Sequence, residues 1–225
     1  NVTVPHKERV IPLLDKVDTA VQAIGAVNTI TIERSEIGEA VLTGYNTDWS
    51  GFLADVQSQG VVVEGQTCLV LGAGGSARAV AYGLAASGGR VHVFARRMEQ
   101  VQRLVDELTL HTPQGRLLAH GWSELADVCG RETAVSLIVN TTPLGMSPRI
   151  ETTPWPEKLS FPTGAFVYDL VYNPSETLIV RQAKEAGCRA TTGLGMLLHQ
   201  GAQAFRLWTG QEPDRLVMAN AIFRL

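Results

Sequence analysis

Short apolar runs alternate with segments of helical periodicity through the middle of the chain. The apolar runs predict buried strands at residues 67–71, 91–95, 117–119, 135–139 and 165–170. The periodic segments predict helices at residues 76–86, 98–108, 123–128 and 175–186, the last with Ser175 as its N-cap. Strand–helix units repeated at this spacing predict a parallel sheet that is covered by helices on both faces.

The two ends of the chain carry a different pattern. They predict a strand at 26–32, a hairpin through Gly38 to residues 41–42, a helix from about Trp49, an amphipathic helix at 194–208 and a last helix at 214–223. Neither end alone has enough apolar surface for a core, so we expect the two ends to pack together as a second lobe. Crevices between domains are favoured places for ligands, so we expect a binding site where the lobes meet.

The composition narrows the classes of function. Hydrophobic residues make up 45% of the chain and charged residues 18%, which is typical of a globular protein and excludes a disordered one. The 19 Lys and Arg against 22 Asp and Glu leave a net charge of -3, without the basic surplus of nucleic-acid-binding proteins. The most apolar stretch, residues 67–89, contains Arg78 and several glycines, so we expect no membrane span.

The three cysteines, Cys68, Cys129 and Cys188, are odd in number and lack the spacing of metal ligands. We therefore expect neither a disulfide framework nor a zinc site. A reducing compartment such as the cytoplasm fits this cysteine usage best. The first residues show no charged segment followed by an apolar run, so they predict no secretory signal.

A glycine-rich loop separates the predicted strand at 67–71 from the helix that follows it. Gly72, Gly74 and Ala77 match the pattern G-x-G-x-x-[G/A], which allows a sharp turn, close approach to a pyrophosphate and tight helix–strand packing. The N-terminus of the helix presents free N–H groups and a partial positive charge to that anion. A plain tight turn could contain the same glycines, but the strand–loop–helix context favours dinucleotide binding.

The residues after the second strand of this unit distinguish between NAD and NADP. An NAD site usually has Asp or Glu there to accept the ribose 2′-hydroxyl, whereas this chain has Arg96 and Arg97. Two guanidinium groups suit a 2′-phosphate, because each can form charge-assisted hydrogen bonds to it. The alternative is a solvated basic turn, but cations at a helix N-terminus are unfavourable without an anion, so we predict NADP.

A hydride-transfer enzyme also needs a group that exchanges a proton with the substrate oxygen. Lys7 and Asp48 are candidates, because a carboxylate can hold an ammonium group whose pKa burial lowers. Each residue also has a structural interpretation: Lys7 as a surface lysine, and Asp48 as the N-cap of the helix that begins at Trp49. Spacing alone does not decide between these interpretations.

Seven motifs in chain order strongly resemble those of the shikimate dehydrogenase family. They are residues 1–7 (NVTVPHK), 25–29 (GAVNT), 44–48 (GYNTD), 72–77 (GAGGSA), 140–146 (NTTPLGM), 169–174 (DLVYNP) and 193–200 (GLGMLLHQ). The resemblance implies reversible, NADPH-dependent reduction of 3-dehydroshikimate to shikimate in the pathway to chorismate and the aromatic amino acids. It also implies a Rossmann-type parallel-sheet domain for NADP and a smaller α/β substrate domain, and it is compatible with a homodimer.

The resemblance assigns roles to individual residues of this sequence. It implies that Lys7 is the catalytic lysine and Asp48 its partner carboxylate. The substrate-binding positions that it implies are Thr3, Asn28, Tyr172 and Gln200. The cofactor-binding positions are Gly72, Ala73, Gly74, Gly75, Ser76, Arg96, Arg97, Thr142, Leu170 and Gly193. No metal is implied.

The resemblance also divides the chain, and the chain departs from it at some positions. Residues 1–48 match part of the substrate domain, 49–193 the NADP domain, and 194–225 helices that return to the substrate domain. Ala95 stands where the family often has Asn, and Arg97 where it has Thr. The family's first strand and its Ser-x-Ser substrate loop precede the segment that matches Asn1. Two alternatives stay open: a quinate/shikimate dehydrogenase of catabolic type, and a dinucleotide-binding module without turnover.

Overall fold

The computed structural model describes residues 1–3, 5–34, 38–132 and 134–222. In these ranges the strands are β1 (Lys16–Val17), β2 (Thr29–Arg34), β3 (Ala40–Tyr45), β4 (Thr67–Leu71), β5 (Arg90–Ala95), β6 (Leu117–Gly121), β7 (Val135–Asn140), β8 (Phe166–Asp169) and β9 (Arg189–Thr192). The α-helices are α1 (Thr19–Ile24), α2 (Asp48–Ser58), α3 (Gly75–Ala86), α4 (Met98–Thr109), α5 (Leu125–Arg131), α6 (Leu178–Glu185), α7 (Leu194–Thr209) and α8 (Arg215–Ile222). Two short 3-10 helices lie at Ile11–Leu13 and Trp122–Glu124.

Six strands from the middle of the chain form one parallel sheet in the order β6-β5-β4-β7-β8-β9. This confirms the predicted parallel sheet. The strand order reverses between β4 and β7, and in doubly wound folds of this kind ligands bind at the carboxyl ends of the strands beside such a switch point. The loops that follow β4 and β7 are therefore expected to contact a ligand.

Successive residues of β4 point into opposite layers of the core. Cys68 and Val70 pack with α2, α3 and α4 on one face of the sheet. Leu69 and Leu71 pack with α5 and α6 on the other face. A strand that is buried on both faces must be apolar at every position, which explains why its sequence is a continuous apolar run.

Strands β1 and β9 and helix α1 were not predicted from the periodicity. β9 has four residues (RATT) without an apolar run, and it is a sheet edge that pairs only with β8 among the described strands. α1 spans six residues and ends at Gly25, whose φ of 69° places it in the left-handed region. Because residues 25–28 follow α1 as a connecting segment, strand β2 begins at Thr29 rather than at residue 26 as predicted.

The predicted N-cap of α6 was wrong. The helix begins at Leu178, and the N-cap is Thr177 rather than Ser175. The Thr177 hydroxyl does not cap the helix but donates to Asp169 Oδ2 at 2.6 Å. The start of α6 is thus set by a contact with the end of strand β8, which the local sequence does not reveal.

The N-terminal part of the chain forms a smaller sheet in the order β1-β3-β2, in which β2 and β3 are antiparallel. The strands of the predicted hairpin are confirmed; residues 35–37 of its turn and residue 223 of the last predicted helix lie outside the described residues. The Trp208 indole N–H of α7 donates to the Ile30 carbonyl at 2.9 Å. Helix α7 therefore contacts the N-terminal sheet. No helix in the described part of the chain is long and apolar enough to cross a membrane.

We predict that the stabilisation contributed by His92 in β5 is lost in mild acid. Burial lowers the pKa of His92 to about 4, with Glu132 opposing the shift and His120 and Arg90 adding to it. The unfolded value is near 6.5, so the stabilisation by neutral His92 is complete above about pH 6.5 and is lost as the pH falls toward about 4. The contribution of His92 to the free energy of unfolding should fall by up to about 3 kcal/mol across this window, since one unit of pKa shift corresponds to about 1.4 kcal/mol.

Urea titrations between about pH 7 and pH 4 measure this effect. His92→Phe removes the titrating group, so the free energy of unfolding of wild type relative to this variant should fall with the pH, whereas relative to the exposed His111→Gln variant it should stay constant. Equal pH slopes for wild type and His92→Phe would contradict the prediction.

Candidate active site

Lys7 and Asp48 form a partly enclosed ion pair. The Lys7 Nζ lies 2.6 Å from Asp48 Oδ2, and the two side chains are 12% and 7% exposed. Asp48 is the first residue of α2, so its carboxylate lies at the positive end of the helix dipole. Thr47, rather than Asp48, is the N-cap of α2. The alternative interpretation of Asp48 as the N-cap was therefore wrong, and its carboxylate holds the lysine instead.

Asn28 fixes the second carboxylate oxygen of Asp48. Its Nδ2 donates to Asp48 Oδ1 at 2.8 Å and to Thr47 Oγ1 at 2.9 Å. Its Oδ1 accepts from the Thr47 backbone N–H at 2.8 Å. Asn28 is buried just before β2, and Asp48 follows β3, so the antiparallel pairing of these strands brings the two residues together. Both carboxylate oxygens are engaged, which orients Asp48 toward Lys7.

A cleft of about 340 Å³ opens at this ion pair. It brings together nine residues predicted for the site: Thr3, Lys7, Asn28, Asp48, Ser76, Leu170, Tyr172, Gly193 and Gln200. The predicted residues that do not line it are Gly72, Ala73, Gly74, Gly75, Arg96, Arg97 and Thr142.

Four residues that line the cleft were not predicted: Asn1, Val2, Met196 and Leu197. Met196 and Leu197 lie on α7 between Gly193 and Gln200. Leu197 shares a helix face with both of those residues, at spacings of four and three. That spacing could have identified Leu197 from the sequence.

The cleft combines hydrogen-bonding groups with an apolar wall. Lys7 contributes an ammonium group, Asp48 a carboxylate, Asn28 and Gln200 amides, and Thr3 a hydroxyl. Leu170, Met196 and Leu197 are apolar. This combination of polar groups and an apolar wall suits a small ring with several hydroxyl groups, because the ring carbons need apolar contact and each hydroxyl needs a partner. The lysine–carboxylate pair adds a group that can exchange a proton with a bound oxygen.

The glycine loop adjoins this cleft. Gly72 has a φ of 125°, a conformation that favours glycine, and a Cβ there would lie 3.3 Å from Thr142 Cγ2 after β7. Gly74 is the N-cap of α3, and no side chain in the described residues caps that helix. Its first N–H groups are thus available to an anion, as a pyrophosphate requires. A Cβ on Gly75 would lie 3.7 Å from Lys7 Cβ, so the loop and the lysine are neighbours.

Asn140 and Asp169 hold the strand ends beside the loop. Asn140 Nδ2 donates to Asp169 Oδ1 at 2.8 Å, and its Oδ1 accepts from the Thr142 backbone N–H and hydroxyl at 2.9 and 2.7 Å. Burial raises the pKa of Asp169 to about 6, against the hydrogen bonds that it accepts. Because it donates to Asn140, the Thr142 hydroxyl stabilises the loop that contains it. Both residues lie at the carboxyl ends of adjacent parallel strands, β7 and β8.

Arg96 and Arg97 follow β5 and do not line the cleft. Arg97 Nη2 donates to Gln100 Oε1 at 2.8 Å, and Gln100 Nε2 donates to the Ala73 carbonyl at 2.9 Å. This chain of hydrogen bonds places a guanidinium group beside the glycine loop. Both arginines are exposed, so an anion can approach them from solvent.

Comparison with known families identifies both ends of the chain. Residues 1–30 match the shikimate dehydrogenase substrate binding domain, and residues 193–223 match the shikimate 5'-dehydrogenase C-terminal domain. The chain is 47% identical over 224 residues to the shikimate dehydrogenase (NADP(+)) of Moorella thermoacetica. That alignment covers 99% of this chain and 73% of the relative.

Solved structures with the same fold include two dehydrogenases with bound cofactor. The shikimate 5-dehydrogenase of Thermus thermophilus, in complex with NADP(H) and shikimate, has a TM-score of 0.82 and 38% identity, over 100% of this chain and 77% of that chain. The quinate dehydrogenase of Corynebacterium glutamicum, in complex with NAD, has a TM-score of 0.86 and 32% identity over the same shares of the two chains, 100% and 77%.

Proposed function

The chain belongs to the shikimate dehydrogenase family, and we propose that it catalyses the reversible, NADPH-dependent reduction of 3-dehydroshikimate to shikimate with Lys7 and Asp48 as its acid–base pair. The observation that carries this proposal is the 2.6 Å Lys7–Asp48 ion pair, held in a cleft next to a dinucleotide-type glycine loop. A proton-exchanging group and a cofactor loop are the two parts that such a reaction needs in one place.

Lys7 moves the proton at the substrate oxygen. NADPH supplies the hydride when it is bound. In the reducing direction the Lys7 ammonium donates a proton to the carbonyl oxygen of 3-dehydroshikimate, which becomes the hydroxyl of shikimate. In the oxidising direction the neutral amine of Lys7 accepts that proton. Asp48 orients the lysine through the ion pair and binds a ring hydroxyl, and Asn28 keeps Asp48 in place.

The other polar residues of the cleft hold the substrate ring. Thr3, Asn28, Tyr172 and Gln200 offer hydroxyl and amide groups that pair with ring hydroxyls. Tyr172 is 41% exposed and so lies at the rim of the cleft, where it can contact substrate without blocking entry. Met196 and Leu197 cover the apolar part of the ring.

The cofactor site follows the carboxyl edge of the large sheet. We assign the pyrophosphate to the loop from Gly72 to Ser76 and the 2′-phosphate to Arg96 and Arg97. Leu170 and Gly193 lie in the cleft wall, and Thr142 lies next to Gly72. We therefore assign the nicotinamide half of the cofactor to these residues. In this assignment residues 1–48 and 194–225 form the substrate lobe and residues 49–193 the NADP domain.

An assay of the chain with 3-dehydroshikimate tests the proposal. We expect oxidation of NADPH that depends on 3-dehydroshikimate, and the loss of NADPH absorbance measures it. In the reverse direction we expect formation of NADPH from shikimate and NADP+. Dinucleotide binding without turnover in either direction would instead support the alternative of a binding module.

Quinate dehydrogenation is the second candidate, because a quinate dehydrogenase with NAD shares the fold. Arg96 and Arg97 favour NADP, since neither can accept a hydrogen bond from a ribose 2′-hydroxyl. Comparing kcat/KM for shikimate with NADP+ and for quinate with NAD+ separates the two candidates.

We further propose a homodimer and a cytoplasmic location. The free state of the three cysteines is compatible with a reducing compartment.

A further inference from the structure

Helix α7 supplies three of the side chains that line the cleft: Met196, Leu197 and Gln200. The Gln200 Oε1 lies 3.5 Å from Asn28 Nδ2, the same nitrogen that donates to Asp48. The position of Gln200 relative to the Lys7–Asp48 pair therefore depends on how α7 is seated. A small shift of α7 along its neighbours would move three contacts to the substrate at once.

A buried bridge joins the first turn of α7 to helix α2 and strand β8. The Tyr168 hydroxyl of β8 donates to Asp55 Oδ2 of α2 at 2.6 Å. Met196 in the first turn of α7 packs in the same buried apolar cluster as Tyr168. Asp55 is 4% exposed and Tyr168 is fully buried. Burial and the Asp55 carboxylate raise the pKa of Tyr168, so its hydroxyl stays a donor.

Gly195 allows α7 to approach this bridge closely. A Cβ on Gly195 would overlap both carboxylate oxygens of Asp55. Position 195 must therefore lack a side chain for α7 to pack this closely against Asp55. On the other side of Gln200, the Ser50 hydroxyl of α2 donates to Gln203 Oε1 at 2.5 Å. Gln200 thus lies between two points where α7 is fixed to α2.

We propose that Asp55 and Tyr168 are positioning residues of the substrate cleft, which fix the first turn of α7 so that Gln200 faces Asn28 and Asp48. Neither residue lines the cleft. They act through α7, and their effect falls on substrate binding rather than on proton transfer. The use of shikimate as the probe rests on the proposed function, whereas the seating of α7 does not.

Tyr168→Phe is the most direct test. It keeps the ring, which packs edge-on against Phe52 at 5.2 Å, and removes only the hydroxyl. We expect KM for shikimate to rise about tenfold, because a hydrogen bond to a charged group is lost at the anchor. We expect kcat to stay within about threefold of wild type and KM for NADP+ to stay unchanged, since the proton-exchanging lysine and the cofactor loop are untouched. Amide hydrogen exchange at residues 194–200 should become about tenfold faster.

Two further variants separate positioning from general stability. Asp55→Asn keeps an acceptor for the Tyr168 hydroxyl, so its KM for shikimate should stay closer to wild type than that of Asp55→Ala. Trp155→Phe removes a buried hydrogen bond to the Leu159 carbonyl on the opposite face of the sheet. It should lower Tm without changing KM for shikimate.

A lowered Tm for Tyr168→Phe, with KM for shikimate within about twofold of wild type and unchanged exchange at residues 194–200, would overturn the inference. Failure of the wild-type chain to oxidise shikimate would instead refute the proposed function. In that case the exchange rates at residues 194–200 still decide whether Tyr168 seats α7.

Discussion

Lys7→Ala lowers kcat for shikimate oxidation by about 10²–10⁴-fold, the usual contribution of a positioned acid–base group. The substitution removes the group that exchanges a proton with the substrate oxygen and leaves Asp48 without its ion-pair partner. NADPH binding should change little, because Arg96 and Arg97 lie outside the cleft that contains Lys7. Steady-state kinetics give kcat, and a fluorescence titration with NADPH gives Kd.

Two comparisons make the Lys7 result specific. Lys7→Arg keeps a positive charge near Asp48, but a guanidinium group stays protonated and cannot accept the proton, so kcat should remain low. Lys158→Ala removes an exposed lysine from the loop between β7 and β8 and should leave kcat unchanged. A kcat for Lys7→Ala within about threefold of wild type would show that Lys7 is not the proton-exchanging group.

The sequence predicted those parts of the fold that depend on neighbours in the chain. The apolar runs of β4, β5, β7 and β8 and the periodicity of α3 and α4 each specify an element, because buried strands and helix faces have a fixed spacing of apolar residues. The glycine loop was found for the same reason, since the turn, the close approach and the helix start all lie within residues 72–77. Strand β9 was not predicted, because its four residues contain no apolar run.

The supporting contacts of the site could not be predicted in this way. Tyr168 and Asp55 are 113 residues apart in the chain, and Asn140 and Asp169 are 29 apart. Each pair depends on how α2, β7 and β8 meet in three dimensions, which no local pattern records. The N-cap at Ser175 was wrong for a related reason, because the contact between Thr177 and Asp169 sets the start of α6.

We expect the region after β5 to determine cofactor choice. Arg97 is tied through Gln100 to the Ala73 carbonyl of the glycine loop. A guanidinium group held beside the loop can offer charge-assisted hydrogen bonds to a 2′-phosphate. Arg96 is exposed at the end of β5, so its side chain can turn toward a phosphate.

Arg96→Ala should raise KM for NADPH by about 10–100-fold, because a charge-assisted hydrogen bond contributes about 1.5–3 kcal/mol. KM for NADH should change by less than about threefold, since NADH has no 2′-phosphate for Arg96 to bind. The measurement is the ratio of the two KM values in wild type and variant. Arg103→Ala, an exposed arginine further along α4, is the matched control and should leave this ratio unchanged. Equal increases in KM for both cofactors would mean that Arg96 supports the loop rather than the 2′-phosphate.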